Sequence, residues 1–192
     1  MIVYLHGFNS SPHSHKARLL ERYLEAHELG AHYACPQLPP LAREAVAQVE
    51  TLIAAVRGGQ ICFVGSSLGG FYATHLAEKH DARAVLINPA IEPHFGLRDY
   101  LGPQKNLHTG EPYELTRGHL DDWAMLYRPT LTPSRYLLIV ETGDEVLDYR
   151  KAIRRYAGAA HIVVAGGDHS LRSFAQHLPR IVAFAGLIGA PA

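Results

Sequence analysis

The sequence has no excess of either charge. Its 192 residues carry 18 Lys plus Arg against 18 Asp plus Glu. A nucleic-acid binder gathers Lys and Arg into a basic footprint, and a peripheral membrane protein carries a polybasic run; neither is present. Cysteine is scarce, with Cys35 and Cys62 alone. Both fall in strand-like apolar segments, which predicts buried free thiols in a reducing compartment rather than a disulfide. No apolar run approaches the roughly 20 residues that cross a bilayer, and no charged n-region leads into a long apolar stretch. These absences predict a soluble cytoplasmic protein with no nucleic-acid or membrane partner. No His-Glu-x-x-His pattern or cysteine cluster marks a metal site, so the pair His13 and His15 reads as solvated loop. Neither a metal nor a cofactor is expected.

What the chain does have is a regular alternation of apolar strands and amphipathic helices. Short apolar runs occur at residues 2–5, 33–35, 60–64, 84–87, 136–140 and 161–165. Helical periodicity fills the intervals 14–29, 41–57, 70–80, 147–157 and 170–186. On the first helix Ala17, Leu20 and Leu24 share one stripe; on the second, Val46, Val49, Ile53 and Val56 do. On the last, Leu171, Phe174, Leu178 and Ile181 fall at helical spacing. Alternation of this kind predicts a single α/β domain over 1–192, a mainly parallel sheet with helices on both faces. The small-residue tail from Gly186 to Ala192 is expected to fray. Residues 89–134 break the rhythm. They carry no clear strand, many turn residues and a possible helix over 114–127 with His119, Trp123 and Leu126 on one side. An insert of this length suggests a cap or binding segment. It leaves the sheet after the 84–87 strand, so Tyr100, Tyr113 and Trp123 are candidates for substrate contact.

Within this frame, Gly65-Ser66-Ser67-Leu68-Gly69 joins the 60–64 strand to a helix. Gly-x-Ser-x-Gly in a strand-turn-helix setting is a nucleophile elbow: the sharp turn lifts the serine hydroxyl above the sheet edge. Side chains at 65 and 69 would crowd the closely approaching strand and helix. The bare pattern arises by chance about once in fifteen chains of this length, so its partners decide its meaning. A base and an orienting acid must follow in the order Ser, Asp or Glu, His. Asp144 lies just past the 136–140 strand, with Glu141, Glu145 and Asp148 as rivals; Asp148 also reads as a cap for the following helix. His169 lies just past the 161–165 strand, and Asp168 reads as a turn residue. Parallel sheets gather functional groups at the carboxyl ends of their strands, so Ser67, Asp144 and His169 can converge. The loop after the first strand, His6-Gly7-Phe8-Asn9-Ser10-Ser11, supplies a further part. The backbone N–H groups of Phe8 and Leu68 are expected to form an oxyanion hole. His6 reads as a structural residue of that loop.

Taken together, these segments resemble the α/β-hydrolase superfamily and, more narrowly, the small YqiA-like esterase family of bacteria. The resemblance rests on Tyr4-Leu5-His6-Gly7-Phe8-Asn9-Ser10-Ser11-Pro12, Gly65 to Thr74, Asn88-Pro89-Ala90, Tyr100-Leu101-Gly102 and Thr109-Gly110-Glu111. It continues through Thr142-Gly143-Asp144-Glu145-Val146-Leu147-Asp148-Tyr149-Arg150 and Gly166-Gly167-Asp168-His169. It implies a minimal α/β-hydrolase fold, a three-layer α/β/α sandwich with a cap insert at 89–134. It also implies cleavage of small-molecule acyl esters or thioesters, with Ser67 as nucleophile, Asp144 as acid and His169 as base. One departure is Leu171, two residues after the histidine, where the family often has an aromatic. A hydrolase-like scaffold that binds a ligand without turnover, and a thioesterase or peptidase on the same residues, remain alternatives.

Overall fold

The computed structural model describes residues 1–56 and 58–188. Eight strands and seven α-helices follow in order: β1 (Ile2–Leu5), α1 (His15–Ala26), β2 (Tyr33–Ala34), α2 (Ala42–Ala54), β3 (Cys62–Ser66), α3 (Leu68–Lys79) and β4 (Arg83–Ile87). The insert contributes α4 (Pro93–Gly96), β5 (Gly102–Lys105), β6 (Pro112–Leu115) and α5 (Arg117–Leu126). The chain closes with β7 (Tyr136–Glu141), α6 (Tyr149–Arg155), β8 (Ala160–Val164) and α7 (Phe174–Phe184).

Six strands form one sheet in the order β2-β1-β3-β4-β7-β8, all pairs parallel. β1, β3 and β7 are buried along their whole length. Helices on both faces leave no wet side, so these strands are continuously apolar rather than alternating. The core divides across the sheet. Ile2, Tyr4, Val64, Val85 and Ile139 face α1 and α7 through Leu20, Leu24, Phe174 and Ile181. Val3, Leu5, Phe63, Leu86 and Leu138 face α2, α3 and α5. Cys35 and Cys62 are free, as expected; burial pushes each thiol up to about 12.

The predicted stripes on α1 and α7 are the buried ones, although α7 starts at Phe174 and Leu171 packs from the preceding turn. α2 buries Val46, Val49 and Ile53 and ends at Ala54, so Val56 lies beyond it. The predicted end of that helix at Arg57 and the last four residues of the tail, 189–192, lie outside the described residues. α3 has no polar face: Leu68 to Ala77 are all buried. A helix apolar all round belongs in the middle of a fold.

The expectation of no strand in 89–134 is incorrect. β5 and β6 form an antiparallel hairpin with Gly102 opposite Leu115 and Lys105 opposite Pro112. The strands read Gly-Pro-Gln-Lys and Pro-Tyr-Glu-Leu and lack the β-branched alternation that marks a strand in sequence. Their turn is fixed by side-chain chemistry instead. Asn106 N–H donates to Glu111 O, and Asn106 Oδ1 accepts from His108 and Thr109 N–H. The expected helix over 114–127 is α5, three residues shorter at its start. Among the described residues no helix is long and apolar enough to cross a membrane.

Candidate active site

Strand order reverses between β1 and β3: the chain goes from β1 outward to β2, then returns to the other side of β1. The loops that leave the two strands therefore diverge and open a crevice at their carboxyl ends. Register fixes what meets there. Leu5 lies opposite Gly65, Ser66 opposite Ile87, and Glu141 opposite Val164. Residues 6–10, Ser67, Asn88, Asp144 and His169 thus all emerge at one edge.

Ser67 is the turn between β3 and α3, at φ 55° and ψ −120°. A left-handed φ at a non-glycine residue costs of order 1–3 kcal/mol and persists only when its surroundings hold it. Here they do. Ser67 N–H donates to Ile87 O at 3.0 Å, and Ser67 O accepts from Gly70 and Ala90 N–H at 2.9 and 3.0 Å. Gly69 is required by close approach: a Cβ there would collide with the Leu5 and His6 carbonyls.

The loops deliver the remaining groups. His169 Nε2 lies 3.1 Å from Ser67 Oγ, and His169 Nδ1 lies 2.8 Å from Asp144 Oδ2. The Asp144 side chain is almost fully buried, and its Oδ1 also accepts from Val146 and Leu147 N–H at 2.9 and 2.8 Å. These bonds fix the carboxylate, which in turn sets the tautomer with Nδ1 protonated and Nε2 free to accept from the serine. The rivals for Asp144 have other partners. Asp148 caps α6 by accepting from Arg150 N–H, and Glu145 accepts from His169 N–H. Asp168 closes a turn with Ser170 N–H and pairs with Arg172. Hydrogen bonds from Ser170 and Arg172 hold its carboxyl below the ordinary range.

Asn88 and the remaining rival, Glu141, hold the histidine loop, a part that sequence reasoning assigned to neither. Asn88 Nδ2 donates to Asp168 O and His169 O at 3.1 and 3.3 Å, and its Oδ1 accepts from Glu141 N–H. Glu141, buried at the end of β7, accepts from the N–H groups of Asp168, Arg172 and Ser173 at 2.8, 3.0 and 2.8 Å. Burial pushes its carboxyl up, but these bonds prevail and hold it below the ordinary glutamate value. Gly167 is part of the same device. Its φ is +71°, and a Cβ would strike the Glu141 carboxylate. Lys16 donates from α1 to Ser170 O at 2.8 Å. Burial pushes its ammonium down against the pull of Asp168, Asp144 and Glu141. The signal for Glu141 was an acidic residue ending an otherwise apolar strand; for Asn88, it was Asn-Pro at a strand end.

On the other side of Ser67, the N–H groups of Phe8 and Leu68 donate to no described residue. Both residues line a cavity of about 300 Å³ that also includes Tyr113, Gln37, Gln48 and Glu111. His6 braces its wall: Nε2 accepts from Leu38 N–H at 3.0 Å, and Nδ1 lies 3.1 Å from Gly7 O. Burial pushes this imidazole down, toward the neutral form. A larger cavity of about 530 Å³ lies between α4 and α5, lined by His94, Arg98 and Arg117 but by none of the groups around Ser67. Of the aromatic candidates, Tyr113 lines the smaller cavity and Tyr100 meets the Phe8 ring edge-on at 6.2 Å. Trp123 does not reach the crevice. It is 1% exposed in the core, with Nε1 donating to Tyr72 OH at 2.7 Å. Its apolar ring on the stripe of α5 is what buries it. Among the described residues no three His, Cys, Asp or Glu side chains gather as a metal-holding group.

Comparison with known proteins places the chain. The signature of UPF0227, described as an uncharacterised protein family, matches residues 1–186. The chain belongs to the UPF0227 family. A UPF0227 protein of Pectobacterium carotovorum is 26% identical over 190 residues, covering 96% of this chain and 98% of that one. This membership agrees with the YqiA-like resemblance of the sequence. Among solved structures, the α/β-hydrolase domain-containing protein 10 of mouse superposes with a TM-score of 0.71 at 15% identity, covering 97% of this chain and 88% of that one. A monoacylglycerol lipase of Paleococcus ferrophilus gives 0.68 at 15%, covering 97% and 94%. UPF0227 member and α/β-hydrolase fold are therefore both established for this chain.

Proposed function

We propose that this UPF0227 protein is a serine hydrolase that cleaves acyl esters through an acyl-enzyme intermediate. The observation that carries the reading is the continuous chain from Ser67 Oγ through His169 to Asp144, at 3.1 and 2.8 Å. Its spacing suits proton transfer from the serine to the imidazole. The hydrolase, esterase and lipase names among the structural relatives agree with this reading at the level of the fold.

Each step follows from a named group. His169 Nε2 takes the Ser67 proton as Oγ attacks the carbonyl carbon. Asp144 holds the imidazole in place and stabilises the imidazolium. The N–H groups of Phe8 and Leu68 receive the oxyanion, each donor worth on the order of 3 kcal/mol. His169 then protonates the leaving group, and water repeats the sequence on the acyl-enzyme. The insert acts as a cap over the crevice, with the whole chain as one domain. Thioesters can follow the same course, since the leaving sulfur needs less protonation.

The test is steady-state hydrolysis of 4-nitrophenyl butyrate by the wild type and by Ser67→Ala, with folding checked by circular dichroism. The reading expects turnover by the wild type and none above background by a folded Ser67→Ala. Equal turnover by the two proteins would refute it.

A further inference from the structure

We infer that the cavity beside Ser67 selects esters of a short, hydroxylated acyl group that carries no negative charge. The inference rests on the serine-hydrolase reading and extends it to the substrate.

Position assigns the cavity to the acyl half. Most of its wall comes from the loops after β1 and β2 and from α2, on one side of the β3 elbow; Leu68 and Tyr72 of α3 and the β5–β6 hairpin, through Asn106, Glu111 and Tyr113, complete it. His169, which must protonate the leaving group, enters from β8 on the opposite side. A carbonyl whose oxygen points at Phe8 and Leu68 N–H therefore directs its leaving group toward His169 and its acyl group into the cavity.

Size and lining then define the acyl group. A volume of about 300 Å³ lies at the lower end for ligand sites and suits a short chain. Near the oxyanion donors the walls are apolar, from Phe8, Leu38 and Leu68. Gln48 and Glu111 are exposed, so they form its open side, and they are polar. Their hydrogen-bonding capacity is uncommitted. The Gln48 side chain and the Glu111 carboxylate make no hydrogen bond or ion pair with any described residue. Gln37 uses only its amide nitrogen, on Ser10 O and Leu38 O at 3.3 and 3.4 Å, which leaves Oε1 to accept. Acceptors dominate this inventory, so a hydroxyl on the acyl chain finds partners. Charge sets the last limit. Glu111 lines the cavity, and among the described residues no Lys or Arg does. An acyl group ending in a carboxylate meets like charge with no cation to offset it.

The experiment uses the full chain and four 4-nitrophenyl esters with one leaving group: 3-hydroxybutyrate, butyrate, hemisuccinate and decanoate. We expect kcat/KM to be highest for 3-hydroxybutyrate, with hemisuccinate and decanoate each roughly tenfold or more below it. In Glu111→Lys the ratio of hemisuccinate to 3-hydroxybutyrate turnover should rise about tenfold or more. A wild type fastest on decanoate, or a ratio unmoved by Glu111→Lys, overturns the inference while ester turnover itself keeps the hydrolase reading intact. Absence of turnover on all four esters, with Ser67 unreactive to a fluorophosphonate, removes both.

Discussion

The Tyr113 hydroxyl donates to Asn9 Oδ1 at 2.7 Å, joining residues 104 positions apart in the chain. It is one of four bonds that pin the β5–β6 hairpin to the loop carrying Phe8. Asn9 Nδ2 donates to Gln104 Oε1, Leu107 N–H donates to Asn9 O, and Asn106 Nδ2 donates to Ser10 O. Asn9 itself sits at φ 52°. The hairpin thus holds the loop that carries Phe8, a residue lining the cavity. Tyr113→Phe removes one of these bonds, worth about 1 kcal/mol, and should lower Tm by about 2–4 °C. It should also lower kcat/KM severalfold, as Phe8 loses part of its support. Calorimetry and ester kinetics on the same preparation check both.

Removing members of the Ser67 chain should give unequal losses. His169→Ala takes away the proton acceptor and should reduce kcat by roughly 10⁴-fold or more. Asp144→Asn keeps the shape but offers the wrong tautomeric partner, and should cost about 10³- to 10⁴-fold. Neither should shift the unfolding midpoint enough to account for the loss. Parallel kinetics and urea unfolding test this.

Glu141 makes stability depend on acid. Its carboxyl is held below the ordinary glutamate value of 4.5 in the folded protein. A group of this kind contributes stability that is fully present above 4.5 and is lost as pH falls through its folded-state value. Glu141→Ala leaves the N–H groups of Asp168, Arg172 and Ser173 without their acceptor, the last of them buried, and should cost about 3 kcal/mol at pH 7. The gap between wild type and variant should narrow as pH falls below 4.5. Urea unfolding at pH 7 and pH 3 measures it; a gap that stays constant would count against this role.

Gly69→Ala should fail to fold or lose about 4 kcal/mol or more. A methyl there meets the Leu5 and His6 carbonyls, which belong to the central sheet edge and have no room to move. Soluble yield and thermal unfolding report it.

Trp123→Phe separates packing from substrate contact. The indole is in the core and holds the Tyr72 hydroxyl. The variant should lose about 1–2 kcal/mol of stability with kcat/KM within threefold of wild type. A large kinetic loss at unchanged stability would return Trp123 to the crevice.

Most of the sheet was legible because its signals are local. β1, β3, β4 and β7 are buried on both faces over most of their length, so each contains an apolar run: 2–5, 61–64, 84–87 and 136–140. Ser67, Asp144 and His169 could be picked out because each lies in the loop that leaves a strand: Ser67 next to β3, Asp144 three residues past β7 and His169 five residues past β8. The hairpin was not legible, because Gly102-Pro103-Gln104-Lys105 has no strand signature and is held by Asn9 and Ser10, nearly a hundred residues away. Trp123 was misplaced for a related reason: an aromatic on an amphipathic insert helix looks the same whether it faces substrate or core. Glu141 stood among the acidic candidates but gained a role only when Gly167 and the 168–173 turn folded over it. These are non-local contacts, and periodicity carries no record of them.

The central claim is that Ser67 is an activated nucleophile. Intact-mass analysis after incubation with a fluorophosphonate tests it most directly, on wild type and Ser67→Ala side by side. The account predicts one adduct per wild-type chain and none on the variant. A folded wild type that gains no adduct, or a variant that gains the same one, would contradict it and favour a hydrolase-like scaffold that binds without turnover.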